Sequence, residues 1–163
     1  MRVIAIIVFL IYIVVLIKLV VLKGPLFYQL VPGTSDYRVL AVSGHYTGYN
    51  LVPFHTIRSF LTLHPSTSTS AKVFNLLGTI ALFMPFGFFL PIIFKQAGKF
   101  APVLIASFLV SLCFELFQLI THTGHFDVDD LILNSIGGSL GYVCFLIAVR
   151  YFALKFLAGS ESY

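Results

Sequence analysis

Asp127, Asp129 and Asp130 place half of the chain's six acidic residues within four positions, directly before an apolar run long enough to cross a bilayer. Charge at the edge of hydrocarbon costs free energy, so it calls for partners or a task. Carboxylates held this close must share protons, find a cation or bind a metal. Glu115 and Gln118 lie in the preceding apolar run, Asn134 in the following one, and Asn75 near the start of an earlier one. Asn50 and Arg58 sit on the segment that leads to that earlier run, and Arg58 is the counter-ion by type. Asn50, Arg58, Asn75, Glu115, Gln118, Asp127, Asp129, Asp130 and Asn134 therefore form the candidate ligand-binding set. Within it Glu115 and Asp129 are the candidate catalytic residues, one acting as general base while a neighbouring carboxylate supplies the acid or a metal ligand.

Other chemistries find less support. His122, His125, Asp127 and Asp129 offer imidazole and carboxylate ligands, but their spacing matches no zinc motif. No metal site and no cofactor are expected, a hard divalent cation on the carboxylates being the lesser alternative. Ser107 and Ser111 have no His-Asp relay, and no glycine-rich phosphate loop occurs. The net charge of +4 comes from scattered basic residues without a basic run, which speaks for anchoring at a membrane surface and against a nucleic-acid partner. Cys113 and Cys144 fall inside apolar runs and behave there as small apolar residues.

The elements that must position this set are membrane helices. Hydrophobic residues make up 59% of the 163-residue chain, its mean hydropathy is +1.01, and a soluble domain has about 45–50%. A bilayer core about 30 Å thick needs about 20 apolar residues in a helix. Four runs meet that length, from about Val3 to Leu22, Val73 to Phe94, Ala101 to Thr121 and Leu131 to Ala153. The expectation is an all-α membrane protein with four transmembrane helices. Its divisions are a first span over 1–23, an outward loop over 24–72, a three-helix core over 73–153 and a tail over 154–163. The first run reads as an uncleaved anchor, because Lys23-Gly24-Pro25-Leu26 is a poor cleavage context.

Lys95 and Lys99 flank the turn between the second and third runs, and Arg150 and Lys155 mark the carboxyl end, whereas 122–130 has no Lys or Arg. The positive-inside rule then puts both termini in the cytoplasm and the acidic loop outside. Within 24–72, the stretch up to Tyr49 reads as loop, an interfacial or re-entrant helix starts at Pro53, and the Ser/Thr tract 65–70 is a flexible connector. In the third run Ser107, Ser111, Glu115, Gln118 and His122 recur on one helix face, and in the fourth so do Asp127, Asp130, Asn134, Gly138 and Gly141. These two stripes are expected to face each other, with Gly137, Gly138 and Gly141 allowing close helix packing. Asp127 and Asp129 suit the cap of the fourth helix.

The order Asn50-Leu51-Val52-Pro53-Phe54 with Thr56-Ile57, then Asn75-x-x-Gly78, Leu82-Phe83-x-Pro85-x-Gly87 and Pro91, then Glu115-x-x-Gln118, resembles the VanZ-like family of bacterial membrane proteins. The resemblance continues through Asp127-x-Asp129-Asp130-x-x-x-Asn134-x-x-Gly137-Gly138-x-x-Gly141-Tyr142. Thr79 stands where the family often has a second Asn, and His125 where an Arg is frequent. The resemblance implies a protein of the bacterial cytoplasmic membrane that acts on the cell envelope, and specifically a role in teicoplanin, glycopeptide or lipoglycopeptide resistance. The favoured mechanism is binding: the outward acidic site engages a cationic sugar, an amine or an envelope lipid headgroup, with membrane lipids as further partners. An enzyme acting on an envelope lipid is the alternative. Transport is a third reading, weakened by inner span halves rich in Phe, Leu and Ile.

Overall fold

The computed structural model describes residues 2–21, 49–55, 57–58, 69–94, 97–121 and 126–160. Four long helices dominate them: α1 (Arg2–Val21), α2 (Thr69–Ile93), α3 (Phe100–Thr121) and α4 (Val128–Ser160). Each contains a stretch long and apolar enough to span a membrane, so the expected membrane architecture holds. Two short strands, β1 (Tyr49–Asn50) and β2 (Phe126–Asp127), pair in parallel, with Asn50 opposite Asp127. This pairing was not anticipated, because two-residue strands leave no alternation to read.

The helix ends differ from the sequence-based spans in two places. α2 starts at Thr69, inside the Ser/Thr tract expected to be a connector; nothing between Thr69 and Pro85 breaks a helix, and Ser or Thr suits a first turn. α4 continues to Ser160, past the expected end of the span, because the first residue after Ala153 that disfavours helix is Gly159. The segment 24–48, the connector 65–68, His122, His125 and Lys95 lie outside the described residues.

Long-range bonds between elements fix the helix directions. The Arg2 guanidinium donates to the Ile93 carbonyl (2.8 Å) at one end of the bundle. At the other end the Gln118 amide donates to the Val20 carbonyl (3.0 Å). Tyr12 donates to the Leu82 carbonyl (2.6 Å) in the turn of α2 disturbed by Pro85. α1 therefore starts, and α4 ends, opposite the end where Gln118 lies. At that end, between α2 and α3, the Ala97 N–H donates to the Phe94 carbonyl (2.9 Å) and Tyr142 donates to the Gly98 carbonyl (3.0 Å).

In hydrocarbon no hydrophobic force drives helices together, so packing contacts and polar bonds must do it. α2 and α4 approach backbone to backbone. A methyl group on Gly87 would lie 1.8 Å from the Gly138 carbonyl oxygen, and one on Gly141 would lie 1.9 Å from that of Met84. The close packing read from these glycines is thus realised. Around it Leu16, Phe83, Phe86, Leu90, Val103 and Tyr142 form the buried core. Phe83 meets Phe114 edge-on, and Phe88 meets Phe145 the same way. Apolar side chains such as Ile4, Ile120 and Ile147 remain exposed, as suits a surface solvated by lipid tails. Cys113 and Cys144 are free thiols on exposed positions.

Candidate functional site

The two polar stripes do meet. Ser107, Ser111, Glu115 and Gln118 are all buried on α3, and the Asn134 amide of α4 donates to Ser111 Oγ (2.8 Å). Gly138 leaves room for Ser107, whose Oγ would stand 2.0 Å from a methyl group there; the hydroxyl instead donates to the Val103 carbonyl (2.8 Å). Interhelical bonds of this kind in membranes average about 0.6 kcal/mol. A Ser111→Ala/Asn134→Leu double-mutant cycle in detergent is accordingly expected to give a coupling of about 0.6 kcal/mol, and an additive pair would remove this contact from the account.

At the end of the bundle where α1 stops, α3 stops and α4 begins, the carboxylates are tied into the backbone. Asp127 precedes the first residue of α4, and its Oδ1 accepts the Asp129 N–H (2.9 Å), the N-cap geometry expected for it. The same oxygen accepts from the Asn50 side-chain amide (3.1 Å), which adds a side-chain bond to the β1–β2 pairing. Glu115, almost fully buried in α3, accepts the Asp127 N–H through Oε2 (2.8 Å). Glu115 thus holds the segment that starts α4.

Asp129 does something its sequence position does not announce. It is fully buried, and rather than capping its own helix it caps a turn in the segment before α2. Its Oδ1 accepts the Phe54 N–H, and its Oδ2 accepts the Ile57 N–H (3.0 Å). Arg58 N–H closes the turn onto the Phe54 carbonyl (2.8 Å), so Phe54 stands at the N-cap with an apolar side chain that cannot cap. In a capping box two local side chains would satisfy the N-cap and third amides; here one distant carboxylate takes both. Phe54 has φ 64°, a left-handed conformation that costs a non-glycine residue about 1–2 kcal/mol. Of the helix expected to start at Pro53, the described residues His55, Ile57 and Arg58 are helical, and Leu51, Val52 and Phe54 beside them are exposed.

Part of the candidate set lines a small cavity. Thr79 from α2, Glu115 and Gln118 from α3, and Asp130 and Asn134 from α4 surround it, over a floor of Val20, Leu82 and Phe83. Its volume of about 20 Å³ has room for one water. Arg58 has an exposed side chain on the turn that Asp129 holds. Asn75 lies on α2, four positions before Thr79, with its side chain outside the described part. The structure thus brings Asn50, Asp127, Asp129 and Glu115 into one bonded chain, and Glu115, Gln118, Asp130 and Asn134 around one cavity. Among the described residues, no three His, Cys, Asp or Glu side chains are grouped to hold a metal ion.

Four participants were missed: the Thr79 side chain on the cavity, the Phe54 and Ile57 amides and the Val20 carbonyl. The last three are backbone groups, which leave no side-chain signature in a sequence. The one available signal was a burial argument: a carboxylate as deep as Glu115 or Asp129 needs donors, and Arg58 alone could not serve both.

The VanZ/LLP1 family model matches residues 9–149, which takes in α2 and α3, most of α1 and α4 and every residue of this bonded chain. The chain belongs to the VanZ/LLP1 family. It is 34% identical over 110 residues to Protein VanZ of Enterococcus faecium, an alignment covering 65% of this chain and 58% of that protein. The chain thus spans somewhat under three fifths of the length of the curated relative it matches. No solved structure matches it. The residues that carry the VanZ-like resemblance now have structural explanations: Gly87, Gly138 and Gly141 allow helix contact, Asp127 and Asp129 cap two helical starts, and Glu115 braces α4.

Proposed function

We propose that this VanZ-family membrane protein contributes to glycopeptide resistance in the bacterial envelope, its polar end facing outward and both termini facing the cytoplasm. The observation that carries the reading is the gathering of Glu115, Asp127, Asp129 and Asp130 at one end of the bundle, with Glu115 and Asp130 on a shared cavity. Asp129 spends both oxygens on backbone amides, which makes it a positioning residue. On this reading the half-buried Asp130 meets the cationic group of a sugar, an amine or a lipid headgroup beside the cavity, while Glu115 braces the start of α4 behind it. The match to Protein VanZ and the lysines around the opposite turn support the role and the orientation.

A second reading has one observation in its favour. Two carboxylates and two side-chain amides surround space for a single water, an arrangement suited to acid–base chemistry on an envelope lipid. Both readings meet in one experiment. A Gram-positive host expressing wild type, Asp130→Asn or Glu115→Gln is tested for teicoplanin and vancomycin susceptibility, with membrane levels and envelope lipids measured alongside. Binding predicts selective protection against teicoplanin by wild type, loss in equally abundant mutants, and unchanged lipids. A lipid species that accumulates with wild type and disappears with Glu115→Gln selects the enzyme. Mutants that protect as well as wild type would sink both.

A further inference from the structure

The five polar side chains around the small cavity, Thr79, Glu115, Gln118, Asp130 and Asn134, offer it oxygen and little else. Two of them are carboxamides, and both spend their nitrogen elsewhere. Gln118 Nε2 donates to the Val20 carbonyl, a bond that its oxygen could not make, and Asn134 Nδ2 donates to Ser111 Oγ. Gln118 Oε1 and Asn134 Oδ1 are left without a hydrogen-bond partner among the described residues. Yet the two residues are only 5% and 6% exposed. Among the described residues, Ser135 Oγ is the one fully enclosed side-chain atom that lacks a partner. The two carbonyl oxygens are therefore not sealed in protein, and the space open to them is the cavity that their side chains line. We infer that this cavity is a binding site for a single Ca²⁺ ion.

Charge and size select the occupant. Buried acceptors left unbonded are costly, and here two of them stand beside the carboxylates of Glu115 and Asp130. A water brings two hydrogens to four such acceptors, whereas a cation satisfies them all. Glu115 accepts the Asp127 N–H on Oε2, and an ionised carboxylate has further lone pairs for a metal. Carboxylates with amide oxygens are the donor set of Ca²⁺, while the lack of a nitrogen or sulfur ligand disfavours zinc. Mg²⁺ keeps several of its waters, and a cavity of about 20 Å³ has no room for them. Ca²⁺ fits where one water would, because oxygens approach it to about 2.3–2.6 Å, closer than the about 2.7–2.8 Å of a hydrogen-bonded water. Two carboxylates at the edge of hydrocarbon match its double charge, which a monovalent ion would leave half neutralised. Asp130 is the one polar lining residue that is half-buried rather than buried, so the ion enters past it. The inference rests on reading this end as a site for positive charge, and a cationic sugar or amine at Asp130 competes with the ion.

The full chain is purified in neutral detergent, stripped with a chelator and titrated with CaCl₂, MgCl₂ or NaCl, with binding heat and thermal melting as readouts. Ca²⁺ is expected to bind at one site per chain and to raise the melting temperature saturably, with Mg²⁺ and Na⁺ at least about tenfold weaker. Asp130→Asn keeps the shape, removes one charge and is expected to weaken Ca²⁺ at least about tenfold. Asn134→Asp brings a third carboxylate to the cavity and is expected to tighten Ca²⁺ by about the same factor. Ser111 can donate to that carboxylate in place of accepting from the amide, and a gain of affinity cannot come from misfolding. The inference is overturned if wild type shows no saturable Ca²⁺ response, or if Mg²⁺ and Na⁺ act equally, as charge screening would have it. Wild-type affinity in both variants overturns it too, and saturation by Na⁺ alone assigns the cavity to a monovalent ion instead. No drug or host is present, so a failure here leaves the susceptibility results standing, and a failure of the resistance reading leaves the ion site standing.

Discussion

Asp129→Asn is expected to free the 54–58 turn while leaving the four-helix bundle assembled. The carboxylate gives one oxygen to each of two backbone amides, Phe54 and Ile57, inside a fully buried setting. Hydrogen bonds to a charged acceptor contribute about 1.5–3 kcal/mol each, and an asparagine retains only one acceptor oxygen. Its NH₂ group then confronts the other amide, donor against donor. A net local loss of about 3 kcal/mol corresponds to about a hundredfold faster amide exchange. Hydrogen exchange of the protein in nanodiscs is expected to show this acceleration at Phe54 and Ile57. Amides in the middle of α2 and α3 are expected to keep their wild-type rates. Phe54→Gly is the control, since it removes the positive-φ strain yet keeps the amide that Asp129 binds, and protection at Ile57 should survive it. Unchanged exchange at Phe54 and Ile57 in Asp129→Asn would show that the turn is held by other contacts.

That expectation separates two losses that a resistance assay alone would confuse. Removing Asp129 disturbs a surface by unlatching a segment, whereas removing Asp130 changes a side chain on the cavity itself. A sequence shows three aspartates in four positions as equals. The fold gives them different tasks: Asp127 caps α4, Asp129 caps a turn 75 residues earlier in the chain, and Asp130 lines the cavity. The span count, the facing stripes and the glycine seam were legible because each follows a periodicity: apolar length for a span, spacings of three and four for a helix face. Glu115 and Asn134 could be placed on their faces by that arithmetic. The partners of Glu115 and Asp129 could not, because their donors are main-chain amides that become available only where a helix begins. The first span shows the same limit from the other side. It reads as a simple anchor, yet its last carbonyls reach the site, where Gln118 binds Val20.

The glycine seam allows the sharpest contrast between positions that look alike in sequence. Gly78 and Gly87 both lie inside α2, and helix propensity alone would favour alanine at each by about 1 kcal/mol. Around Gly78 nothing lies within 4 Å of where a methyl group would sit, so Gly78→Ala is expected to raise stability by up to that amount, or at worst leave it unchanged. At Gly87 the methyl would stand 1.8 Å from the Gly138 carbonyl oxygen and 2.9 Å from its Cα. Neither is the yielding end of a flexible side chain, so α2 and α4 must separate. Separation cannot stay local. Gly141 sits equally close against Met84 one turn along, and the Asn134–Ser111 bond and the Phe88–Phe145 contact depend on the same helix spacing. Overpacking a well-fitted core costs about 1–3 kcal/mol, and here the lost contacts along the seam add to it, for an expected net loss of about 3 kcal/mol or more. Thermal melting in detergent and membrane abundance read the outcome directly: Gly87→Ala falls well below wild type while Gly78→Ala does not. Equal behaviour of the two variants would mean that α2 and α4 do not touch at Gly87 and Gly138.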